Sequence, residues 1–119
     1  MDKRISVSEP AAPLTPAMFQ VLLALTGDDL HGYAILKEVA MPSLGEVKLS
    51  TSTLYGIIKR LLSGGLIVEH RDRPRGDKVD ERRRYYRLTQ RGRDVATREA
   101  ERLEKVVALA RSKNLLRTR

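Results

Sequence analysis

The sequence predicts a mainly α fold with one small β-hairpin, a winged helix-turn-helix, extended by a long C-terminal helix. Three observations carry that reading. Apolar residues recur at helical spacing in three short segments, separated by Gly27-Asp28-Asp29 and by the stretch around Pro42. Two segments of strand-forming residues then flank a polar, charged turn. A single unbroken helical pattern closes the chain.

Residues 1–14 carry Pro10 and Pro13 among mixed polar residues and read as a flexible arm. The winged-helix domain is expected over 15–88. Thr15-Pro16 begins its first helix, with Thr as N-cap and Pro at the first helical position. Met18, Val21, Leu22 and Leu25 follow at helical spacing. The second helix runs from Gly32 to about Met41, with Tyr33, Ile35, Leu36 and Val39 as its apolar content. Pro42 then blocks continuation. Ser43–Leu49 reads as a loop. The third helix is strongly signalled: Ser50-Thr51-Ser52-Thr53 supplies N-cap candidates, and Leu54, Ile58 and Leu61 fall at i, i+4 and i+7. Ser63-Gly64-Gly65 ends it, glycine being suited to a left-handed C-cap.

The period then changes. Residues 66–71 and 84–88 have strand character and enclose the polar turn 74–81, a hairpin with a long charged tip. Thr89 caps a last helix over about 90–113, followed by a short tail. In it Ala96, Ala100, Leu103, Val107 and Ala110 alternate in steps of four and three. That is a heptad seam suited to pairing with a second copy of the chain. We expect 89–114 to be a dimerisation helix and 115–119 a tail.

Composition narrows the function. Among 119 residues, 41% are hydrophobic and 32% charged, which fits a globular domain. The net charge of +8 and pI of about 10.2 favour a polyanionic partner. There is no cysteine, so disulfides and thiolate metal sites are excluded. No apolar run approaches the ~20 residues of a membrane span, and no signal-peptide core precedes Pro16. A cytoplasmic location with no membrane partner is therefore the expectation. His31 and His70 stand apart in sequence; His31, just before a helix, is suited to fixing the turn. Asp28-Asp29 reads as a solvated or capping pair. No nucleophile–base pair, metal cluster or glycine-rich phosphate loop is present, so neither an enzyme nor a cofactor is expected.

Placement of charge decides between polyanions. In a helix-turn-helix the second helix of the pair enters the major groove. Outside its core stripe, helix three offers Ser52, Tyr55, Lys59 and Ser63 along one face, with Thr51 beside Tyr55 and Arg60 on the flank. Hydroxyls and cations there suit phosphate oxygens and base edges. From Arg71 to Arg93 there are ten basic residues against four acids; Arg73, Arg75, Lys78, Arg82, Arg83 and Arg84 fall at or near the hairpin tip. A wing that tracks phosphates requires such clustering. Double-stranded DNA bound by a homodimer is the reading that results. A basic winged-helix RNA-binding or ribosome-associated protein is the rival, and the heptad seam separates them, because it requires a two-fold dimer.

Several segments taken together resemble the PadR family of transcription regulators: His31-Gly32-Tyr33-Ala34-Ile35, Ser52-Thr53-Leu54-Tyr55, Arg60-Leu61 with Gly65-Leu66-Ile67, and Tyr86-Arg87-Leu88-Thr89 with Gly92. The likeness spans about residues 14–110 and looks like the smaller PadR-like subgroup. It implies a winged-helix domain, a C-terminal dimerisation helix and binding of palindromic promoter DNA, usually as a repressor. It places Tyr33 and Tyr55 near the DNA backbone and Ser52 and Thr53 at the start of the recognition helix. In some members a small aromatic or cationic inducer releases the DNA; its identity here is not implied. One departure stands out. The family often has proline after the recognition-helix tyrosine, where this chain has Gly56. The scarcity of aromatics and lack of Trp also argue against an aromatic-lined drug pocket.

Overall fold

Each of the four helices among the described residues starts on a side-chain cap. The computed structural model describes residues 14–40, 49–70 and 84–116. In it Thr15 accepts from the Met18 amide and opens α1 (Pro16–Ala24), with Pro16 in the first turn. His31 Nδ1 accepts from the Ala34 amide at 3.2 Å and opens α2 (Gly32–Val39). Ser50 accepts from the Thr53 amide and opens α3 (Thr51–Ser63). Thr89 accepts from the Gly92 amide and opens α4 (Gln90–Ser112). These caps satisfy amides that have no partner within the helix. α2 ends at Val39, short of the expected Met41, which lies outside the described residues together with Pro42 and most of the expected loop.

Among the described residues the sheet has three strands. Besides the expected hairpin strands β2 (Ile67–His70) and β3 (Tyr85–Leu88), a two-residue strand β1 (Leu30–His31) pairs with β3, giving the order β1-β3-β2, all antiparallel. Sequence reading missed β1 because two residues have no period. The register puts His31, Tyr85 and His70 in one row across the sheet, and Leu30, Tyr86 and Glu69 in the next.

The core lies between the three short helices and the sheet. Val21 and Leu22 of α1, Ile35 and Val39 of α2, and Leu54, Ile58 and Leu61 of α3 are nearly or fully removed from solvent, with Ile67 and Tyr86 beneath them. Burial of one such side chain contributes about 1.5–3 kcal/mol. α3 then ends in a left-handed turn: Gly65 has φ +76°, its amide bonds the Leu62 carbonyl, and the Leu66 amide bonds the Leu61 carbonyl. The left-handed residue is thus Gly65, and Gly64 keeps right-handed geometry.

The first turns of α4 are built into this domain. The Thr89 hydroxyl donates to the Gly65 carbonyl at 2.7 Å, the Thr89 amide to Leu66, and Arg91 Nε to Gly64 at 2.9 Å. A Cβ on Gly92 would collide with the Leu66 carbonyl, so glycine is what allows the helix to close on the α3–β2 turn. Ala96, expected at the dimer seam, is 8% exposed and belongs to the domain's own core; beyond it the helix leaves the core. α4 ends on Asn114, whose φ of 65° turns the chain so that the Leu115 amide reaches the Ala110 carbonyl.

Candidate nucleic-acid interface

α3 buries Leu54, Ile57, Ile58 and Leu61 and leaves the opposite face open. Ser52, Gly56, Lys59 and Ser63 run along the middle of that face, with Tyr55 to one side and Arg60 to the other; all are exposed. Thr51 and Thr53 are exposed in the first turn. The Thr53 hydroxyl accepts from Ser50 Oγ at 2.9 Å, and the Ser52 and Ser50 hydroxyls are 3.3 Å apart, so the cap orders both. Arg60 Nη1 lies 4.0 Å from Met18 Sδ on α1. Gly56 lies in the second turn of the helix, which begins at Thr51. Sequence reading listed its neighbours and passed over Gly56 itself as a member of this face.

Two tyrosines extend the surface from α3 to the start of α2. Tyr55 is 47% exposed, yet its ring and hydroxyl fill the space where Gly32 would carry a Cβ. A side chain on Gly32 would collide with the outer end of Tyr55 and force it to move. Tyr33, in the first turn of α2, is 63% exposed. Its ring lies parallel to His31 at 6.5 Å, and Lys37 Nζ sits 5.5 Å from its centroid. Lys37 was not singled out in the sequence; one turn after Tyr33, it adds a cation to the same surface.

Behind this surface a polar cluster ties the helix-turn-helix to the root of the hairpin. Asp29, at the α1–β1 turn, takes Arg87 of β3 through Nη2 at 2.9 Å and Nε at 3.1 Å, and His70 Nε2 of β2 at 3.1 Å. The bonds from Arg87 hold the Asp29 carboxyl below its ordinary range against the opposing effect of burial, with His70 adding a smaller share. Tyr85 stacks on His70 at 5.9 Å and meets His31 edge-on at 5.5 Å. Burial, and then the nearby Glu69 carboxylate, raise the Tyr86 hydroxyl pKa. Sequence reading took Asp28-Asp29 as a solvated or capping pair and His70 as standing apart; Asp29 and His70, which meet here, are 41 residues apart in the chain. Among the described residues no cluster of His, Asp or Glu could hold a metal ion.

Of the expected wing residues, Arg84 is exposed at the root of the hairpin, with Nε 3.3 Å from Glu69. Arg73, Arg75, Lys78, Arg82 and Arg83 lie outside the described residues. On α4, Leu103 and Ala110 are half-buried and Ala100 is exposed, as is Val107 at 41%. Val106 at 50% and Leu109 at 57% widen the apolar stripe beyond the expected seam. Arg102 grips Glu99 at 2.7 Å on its flank and holds that carboxyl low. No described helix is long and apolar enough to cross a membrane.

The fold has known counterparts. It is similar to a PadR family transcription regulator from Clostridium difficile R20291 (TM-score 0.70, 23% identity), covering 82% of this chain and 97% of that one. It is similar to Bordetella bronchiseptica BpsR, whose DNA binding is regulated by 6-hydroxynicotinic acid (TM-score 0.62, 25% identity, 84% of this chain and 67% of that one). Bacillus subtilis PadR in complex with operator DNA also matches (TM-score 0.58, 22% identity), over 70% of this chain and 46% of that longer one. No curated protein matches the sequence. The model of the Transcriptional regulator PadR-like family matches residues 21–98, from the core of α1 through the sheet into α4. The chain is therefore a member of the PadR-like family of transcriptional regulators, not an enzyme.

Proposed function

We propose that this regulator binds a palindromic promoter site as a homodimer and represses transcription. The α3 face supports the reading most directly: hydroxyls and cations stand exposed on a helix whose other side is locked into the core. α3 would read base edges in the major groove, and Thr51, Ser52, Thr53, Lys59 and Arg60 would supply its contacts. Tyr33 and Tyr55, with Lys37, would hold the flanking phosphates. Arg73, Arg75, Lys78, Arg82, Arg83 and Arg84 would carry the wing along the backbone.

The dimer would form along α4 beyond Ala96, through Ala100, Leu103, Val107 and Ala110. Exposed apolar side chains on the outer half of α4, on a domain whose core is already complete, support this. A two-fold pair would set the two α3 helices one helical turn of DNA apart, or a multiple of it. By analogy with BpsR, a small-molecule inducer is the expected release signal; its identity is not assigned.

Gel-shift titration of promoter fragments against random duplex at several salt concentrations tests the proposal. Preference for one fragment is expected, with affinity falling steeply as salt rises. Equal binding of all duplexes would refute it. A monomer in sedimentation at micromolar concentration would instead favour the RNA-binding reading.

A further inference from the structure

Among the described residues, nothing requires position 56 to be glycine. It lies mid-helix in α3, where glycine is the least favourable residue other than proline. Its backbone is not left-handed, and a Cβ built on it meets nothing within 4 Å. This separates it from Gly32 and Gly92, where a Cβ would strike Tyr55 and the Leu66 carbonyl, and from Gly65, whose φ is +76°. An alanine at 56 would fit the helix, the core and the space around it.

Its position is as telling. Gly56 falls at the centre of the exposed face, between Ser52 one turn before it and Lys59 and Arg60 one turn after. With no side chain there, the surface dips into an open hollow lined by Gly56, Lys59, Arg60, Ser63 and Gly64. Lys59 and Arg60 flank the bare backbone that Gly56 presents outward.

We infer that Gly56 is a specificity-determining residue: it lets the α3 backbone settle close to the base edges, with Lys59 and Arg60 reaching past it on either side. The inference rests on the DNA-binding reading above. A methyl group at 56 would stand between helix and bases and lift the neighbouring contacts out of reach of the edges they read. Phosphate contacts from Tyr33 of α2 and Arg84 at the hairpin root would be little affected, because both residues lie outside α3.

The test compares the wild-type chain with Gly56→Ala and Gly56→Ser on an operator selected by the wild type and on an unrelated duplex, with thermal melting in parallel. Gly56→Ala should melt a few degrees higher, since alanine favours the helix. It should bind the operator about tenfold or more weakly, and the unrelated duplex as before. Gly56→Ser should lose operator affinity in the same way. Variants that bind the operator as tightly as wild type would overturn the inference and leave the DNA-binding reading intact. A wild type that selects no operator would refute the reading itself.

Discussion

Tyr55→Phe separates the hydroxyl of Tyr55 from its ring. Both lie against Gly32, while the residue remains 47% exposed. Tyr55→Phe keeps the ring and should leave melting unchanged. If the hydroxyl meets a phosphate, its loss removes one charge-assisted hydrogen bond, which corresponds to about a tenfold drop in DNA affinity. Unchanged affinity in a gel shift would assign Tyr55 a packing role alone. Asp29 is tested by acid. Its pKa lies below the ordinary 3.8 in the folded chain, chiefly through Arg87. A carboxyl with a lowered folded pKa stabilises at neutral pH, and that contribution is lost as pH falls through the folded value. Asp29→Asn should therefore melt lower than wild type at pH 7, by a modest margin because the pair is partly exposed. The two melting curves should converge as pH drops below 3.8. A constant gap at all pH values would show that the carboxylate charge is not what matters. Little of this cluster was legible in the sequence. The pairing of His70 with Tyr85 follows from the hairpin register, but Asp29 joins them only because Leu30 and His31 add a third strand.

At the scale of elements, the sequence was most legible where local chemistry is explicit. Thr15-Pro16, the run beginning at Ser50, and Thr89 mark three helix starts, and the bonds to Met18, Thr53 and Gly92 confirm each cap. The stripe of Leu54, Ile58 and Leu61 identified the buried side of α3, and with it the exposed side. Periodicity was blind to the partner of a stripe. Ala96 shares the heptad spacing of Leu103 and Val107, yet it packs within its own domain, because the first turns of α4 are drawn down by Thr89, Arg91 and Gly92 onto the end of α3. The dimer proposal accordingly rests on the outer part of the helix. Leu103→Asp would place a charge in that stripe, beyond the point where α4 leaves the core. It should convert the dimer to a monomer in sedimentation and abolish operator binding at concentrations where wild type is saturated. A fully dimeric Leu103→Asp chain would move the interface elsewhere.

For the whole molecule, net charge and architecture act together. The charge of +8 draws the chain to any polyanion, and that attraction is sequence-blind. Selectivity has to come from geometry. Three carbonyls at the end of α3, those of Gly64, Gly65 and Leu66, are bonded by the first turn of α4. These bonds tie the start of α4 to the end of α3, so under the proposed function pairing of two α4 helices would fix the distance between two α3 helices. The fold class and family were legible because motif order, caps and apolar stripes agree with one another. The long-range contacts that join these elements left no local signal. The central claim, a two-fold regulator reading DNA through α3, is tested most directly by selecting bound duplexes from a random pool with the full chain. Two inverted half-sites with centres one helical turn apart, or a multiple of it, are the expected result; a single unrepeated motif, or no enrichment at all, would contradict it.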